Sequence, residues 1–188
     1  PIQNIELQSY YDRIGALFQE YAIYGSQSIT RNIHIGDSNK TLAMETVQEA
    51  AKKADAHEFI SKLDQGYEHV LTKLFTNGIN LSTGQKQKVA LARMFYRDRP
   101  ILILDEPTAS IDAEAEYKIF KKVYDFIKKK TVIIISHRFS TVRNADIIYV
   151  LKDGKITESG SHDELMKKNG SYAHAFKLQA EGYQTKAA

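Results

Sequence analysis

The sequence predicts an α/β fold: a partial parallel sheet flanked by helices, with an α-helical subdomain. Two observations carry this. First, three apolar runs (101–104, 132–135 and 147–151) are continuous or nearly so rather than alternating, the pattern of strands covered on both faces. An amphipathic helix between the first two carries Tyr117, Phe120, Val123, Tyr124 and Ile127 on one side and Lys118, Lys121, Lys122 and Lys128 elsewhere. Strand, helix, strand at this spacing is a parallel α/β unit. Second, residues 29–97 read as mostly helical, and the character changes near Arg97–Pro100, which marks a subdomain boundary.

In chain order, residues 14–18 form a short apolar strand that empties into a polar loop at Gln19-Glu20. A helix is expected over 41–54, with Asn39 or Ser38 as its cap and Leu42, Val47, Ala50 and Ala51 on its apolar side. A shorter one over 56–63 is broken by Gly66. After a turn at 78–80, Ser82 is placed to cap a helix over 83–96. Lys152-Asp153-Gly154-Lys155 reads as a hairpin turn, and helices over 162–168 and 172–179 close the chain.

The 188 residues are 43% apolar and 26% charged, which suits one globular domain or slightly more. A net charge of +3 is too small to argue for nucleic acid as a partner. The lack of cysteine rules out disulfides and thiolate metal sites. No apolar run approaches the ~20 residues of a membrane-spanning helix. The opening at Pro1, with no Met, reads as the middle of something already folded, so a longer parent is expected.

Four groups of residues carry chemistry. Asp105 and Glu106 end a buried strand, where open α/β sheets place their ligands. There an Asp suits Mg2+, a small hard cation that takes oxygen ligands, and a Glu suits the general base for an attacking water. Some thirty residues later a second parallel strand ends in Ser136-His137-Arg138, which brings His137 to the same sheet edge. Leu81-Ser82-Thr83-Gly84-Gln85 offers a hydroxyl, a residue without Cβ and free backbone N–H groups at a helix N-terminus, an anion site. Gln19 could bring a side-chain carbonyl to Mg2+ or the water, the weakest of the four on physics alone. The phosphate cradle G-x-x-x-x-G-K-[ST] is absent. At the single Gly-Lys pair, Gly154-Lys155, Tyr149 stands in place of the first glycine and Ile156 in place of the hydroxyl residue.

Taken together, these residues resemble the nucleotide-binding domain of an ABC transporter. Leu81–Gln85 resembles the signature LSGGQ, Ile101–Glu106 the Walker B strand, and Ser110-Ile111-Asp112 the D-loop. Ser136-His137-Arg138 is similar to the switch-histidine loop, and Gln19 to the Q-loop glutamine. Ser28–Ile33 resembles the T-I-R-x-N-I segment of exporters, and Gly160–Leu165 their G-x-H-x-E-L. Thr83 departs from the first signature glycine, and Thr72–Gly78 lacks the Glu of T-x-V-G-E-x-G.

The resemblance implies a P-loop NTPase-like fold. Residues 1–20 would be a remnant of the ATPase core, 21–98 the helical subdomain with the signature, and 99–188 the C-terminal part of the core. It implies ATP hydrolysis with Mg2+, coupled in a head-to-tail dimer to export, on the cytoplasmic face of a membrane beside transmembrane domains. Glu106 would be the base, and Asp105 and Gln19 would serve the metal. His137 and Gln19 would sense the γ-phosphate and water. Ser82, Gly84 and Gln85 would bind the nucleotide of a second ATPase domain, and Asp112 would contact that partner. The alternative is a soluble ABC-type ATPase of DNA repair or ribosome function. Without Walker A, the chain alone is expected to be inactive.

Overall fold

The computed structural model describes residues 2–74, 78–106, 123, 126–128 and 130–184. They fall into two compact units, Pro1–Ile135 and Ser136–Ala188. Most of the amphipathic helix expected between the first two apolar runs, and Asp112, lie outside the described residues.

The first unit is a sheet of three parallel strands, β1 (Ile14–Leu17), β2 (Ile101–Asp105) and β3 (Thr131–Ile135), in that spatial order. Leu17 pairs with Leu104, and Asp105 with Ile135. Among the described residues, helices α1 (Leu7–Tyr11), α2 (Ile29–His34), α3 (Met44–Lys53), α4 (His57–Ser61) and α5 (Thr83–Arg97) accompany the sheet. The long helix α5 organises it, packing against α2, α3 and β1. Its Val89, Leu91, Ala92, Met94 and Phe95 are buried in one core with Ile29, Ile33, Val47, Leu102 and Leu104. Arg97 fastens α5 to the sheet, donating to the carbonyls of Ile14, Gly36 and Tyr11 at 2.7–2.8 Å. Gly36 is required by close approach, since a Cβ there would strike the Arg93 carbonyl.

Two expectations are corrected here. Neither Ser38 nor Asn39 caps α3, which starts at Met44 behind Ala43 with no side-chain cap. The chain before it is committed elsewhere: buried Asp37 takes Arg99 at 2.8 Å and Lys40 at 3.7 Å. The sheet is also not covered on both faces by the described residues. Leu102 and Leu104 are fully buried on one face, but Ile133 and Ile135 remain about half exposed on the other, at 51% and 49%.

In the second unit, β4 (Ile148–Lys152) and β5 (Lys155–Gly160) form a separate antiparallel hairpin, so the third apolar run does not extend the parallel sheet. Tyr149 and Leu151 point outward while Ile148 is buried, an alternation that marks one covered face. The hairpin turns through Asp153 and Gly154, both at positive φ (51° and 72°), the geometry that Asp-Gly adopts readily. Helices α6 (Phe139–Val142), α7 (His162–Lys168) and α8 (Ser171–Gln184) complete the unit. Ile148, Leu165 and Tyr172 form its core. Among the described residues no helix is long and apolar enough to cross a membrane.

Candidate nucleotide site

Parallel pairing sends β1 and β2 off the sheet at one edge, so Gln19, Asp105 and Glu106 all leave it there. The hydrogen bond from the Glu106 N–H to the Ile135 carbonyl, 2.9 Å, fixes the first residue beyond β2. Glu106 holds φ at 42°. The other positive-φ non-glycine positions among the described residues are Asp55, Asp98, Asp153 and Asn169, types whose short polar side chains tolerate that region. Glu does not share that tolerance, and backbone strain of this kind gathers at functional sites. Among the described residues no cluster of three or more His, Asp or Glu is arranged to hold a metal. A cation here would be held by one or two side-chain oxygens, with phosphate and water supplying the rest, which suits Mg2+.

At the head of α5, Ser82 and Gln85 form a capping box. The Gln85 N–H donates to Ser82 Oγ at 3.3 Å, and the Ser82 N–H donates to Gln85 Oε1 at 2.9 Å. The Gln85 side-chain oxygen is therefore engaged within the chain. An analogous box starts α7, where the Ser161 hydroxyl also donates to Glu164 at 3.0 Å. In the α5 box the Ser82 hydroxyl oxygen accepts from the Gln85 N–H, and a hydroxyl engaged as an acceptor is also able to donate. A Cβ placed on Gly84 would meet nothing within 4 Å. Packing within the chain therefore does not demand glycine at this position, and the space suits a group arriving from outside. The donor set (a hydroxyl, open N–H groups and the helix dipole) fits a phosphate.

Two links were not legible in the sequence. Tyr21, two residues past Gln19, donates its phenol to the Thr83 carbonyl at 3.0 Å, tying the loop after β1 to the first turn of α5. Partial burial raises the Tyr21 pKa, so the donor stays protonated at neutral pH. Arg93 reinforces the tie with bonds to the carbonyls of Ala22 and Asn32, both at 2.7 Å, and lies over the Tyr24 ring. His137 is the second residue of the second unit, where Gln179 of α8 bonds to the backbone on either side of Arg138. Both links join residues 40 or more positions apart, and no local pattern announces such a pair.

A groove of about 440 Å3 opens on the less covered sheet face, lined by Tyr10, Tyr11, Phe18, Arg97 and Ile103 among others. It contains none of the chemical residues named above. The chemistry sits on the sheet edge and the helix end.

The model of the family described as ABC transporter matches residues 1–109. The chain is 40% identical over 178 residues to the putative multidrug export ATP-binding/permease protein YgaD of Bacillus subtilis, covering 95% of this chain and 30% of that protein. It is 42% identical to the human ABC-type oligopeptide transporter ABCB9, covering 95% and 23%, and 41% identical to the ATP-dependent lipid A-core flippase of Hahella chejuensis, covering 95% and 30%. A bacterial Atm1-family ABC exporter solved with ATP bound superposes with a TM-score of 0.83 at 34% identity, over 95% of this chain and 30% of that one. The chain thus spans under a third of the length of these relatives. It belongs to the ABC transporter family, as an exporter-type nucleotide-binding domain.

Proposed function

We propose that this chain is the part of an ABC exporter that hydrolyses ATP in a head-to-tail dimer, coupling turnover to movement of a substrate across a membrane. The observation that carries the reading is Glu106. It is a glutamate held in left-handed backbone immediately beyond a parallel strand, at the edge where Gln19 and Asp105 also leave the sheet. In the proposed reaction water attacks the γ-phosphorus, its proton passes to the Glu106 carboxylate, and the bond to ADP breaks. Asp105 and Gln19 would hold Mg2+, which when bound would supply positive charge against the phosphates. Gln19 also orients the attacking water, and His137 donates to a γ-phosphate oxygen. Ser82, Gly84 and Gln85 face the nucleotide of the partner domain, and the open space at Gly84 supports that role. Asp112 contacts the partner across the closed interface.

We further infer a three-part organisation, 1–20, 21–98 and 99–188, with the middle part facing transmembrane domains at the cytoplasmic side. Exporter names among the relatives support this over a soluble ATPase. Because no segment matches the phosphate cradle, the 188 residues alone are expected to be inactive. The deciding experiment is Glu106→Gln in the longer protein that carries this sequence. Turnover should stop while ATP-dependent closure of the dimer persists. Undiminished hydrolysis would remove Glu106 from the role of base.

A further inference from the structure

We propose that Gln179, on the C-terminal helix α8, is a positioning residue for the His137 loop, so that α8 sets where the switch histidine stands. This deepens the ATPase reading and rests on it for the role of His137. The side-chain amide of Gln179 makes two complementary bonds: Nε2 donates to the His137 carbonyl at 3.1 Å, and Oε1 accepts the Phe139 N–H at 3.0 Å. A backbone carbonyl only accepts and a backbone N–H only donates, so just one amide orientation satisfies both. The clasp therefore spans the backbone from His137 to Phe139, with the amide fixed in sense as well as place.

The same helix also grips the loop through its rings. Tyr172 and Phe176 stand edge-on to Phe139, with ring centroids 5.3 and 5.4 Å away. Residues 172, 176 and 179 recur at helical spacing and share one face of α8. His162 of α7 locks that face in turn, its Nδ1 lying 2.9 Å from the Tyr172 hydroxyl. Within the loop, the Arg138 N–H donates to Ser136 Oγ at 3.0 Å. The carbonyls of Arg138 and Phe139 accept from the first turn of α6, while the bonds to the His137 carbonyl and the Phe139 N–H come from one side chain of α8. An imidazole carried on backbone fixed in this way is pre-organised, and releasing the clasp loosens the backbone that carries it.

The test compares Gln179→Ala, which loses both bonds, with Gln179→Glu, which keeps the acceptor for Phe139 and sets a carboxylate against the His137 carbonyl. In the 188-residue chain, amide exchange of Phe139 should rise about two- to tenfold in the Ala variant, the weight of one hydrogen bond, and stay near wild type in the Glu variant. In the longer ATP-hydrolysing protein both variants should lower kcat by about two- to tenfold while KM for ATP is unchanged. A residue that merely stabilised the fold would lower the melting temperature without that split. Unchanged Phe139 exchange in Gln179→Ala overturns the clasp. Unchanged kcat in both variants, or a raised KM with normal kcat, overturns the positioning role. Failure of the underlying reading looks different: either the unsubstituted protein hydrolyses no ATP, or His137→Ala turns over at full rate.

Discussion

A glutamate at φ 42° and a glycine in the first turn of a fifteen-residue helix both cost stability at the positions where they stand. For Glu106 the cost comes from a Cβ in left-handed backbone. For Gly84 it comes from the extra freedom lost on folding, with no steric demand in return, since a Cβ there meets nothing within 4 Å. A fold selected for stability alone would exchange both. Glu106→Gly and Gly84→Ala should therefore each leave the chain as stable or more stable, by up to about 1 kcal/mol, as read from denaturant midpoints. On the proposed roles each should nonetheless depress ATP turnover in the longer protein, the first by removing the proposed base and the second by placing a methyl where the proposed phosphate contact lies. Loss of stability in both variants would mean that these residues serve the fold, and the strain argument would collapse.

At the scale of elements, α5 and α7 start with near-identical boxes, and the comparison separates capping from function. Ser82→Ala and Ser161→Ala should each cost about 1 kcal/mol of stability. Only the first should impair ATP turnover beyond what the stability loss explains. The boxes differ also in acid. Glu164 accepts from both the N–H and the hydroxyl of Ser161, which holds its pKa below the ordinary 4.5. A carboxylate whose folded pKa is lowered contributes stability above its unfolded value and loses it as pH falls through the folded one. The amide of Glu164 should therefore lose protection in acid, while that of Gln85, whose box rests on a neutral side chain, stays flat over the same range. Equal responses at the two helix starts would contradict the carboxylate's part. The start of α5 was legible because a Ser followed three residues later by Gln is a local signal. The start of α3 was not, because Arg99, distant in sequence, claims Asp37 and with it the chain that offered the expected caps.

For the molecule as a whole, strand identity and order of appearance were readable from apolar runs, but the number of covered faces was not. A continuous apolar strand records where it was built to be buried, whereas exposure depends on which neighbours are at hand. Here the face carrying Ile103, Ile133 and Ile135 is only partly covered among the described residues, with Ile133 and Ile135 about half exposed, although parallel sheets are ordinarily covered on both sides. Exposed Phe18 adjoins it, with 62% of its surface open. Contiguous apolar surface of this kind drives association. The 188-residue chain is expected to self-associate as its concentration rises, and Ile133→Lys should weaken that association by charging the middle of β3. Sedimentation at increasing concentration reads both effects. Calorimetry on the same material should find Mg-ATP binding weaker than micromolar, because no segment supplies the wrapped N–H groups and lysine that hold the β- and γ-phosphates. A monodisperse chain with micromolar affinity for Mg-ATP would show that the sheet edge at Gln19, Asp105 and Glu106 suffices to bind nucleotide. The division of labour between this chain and a separate phosphate cradle would then be wrong.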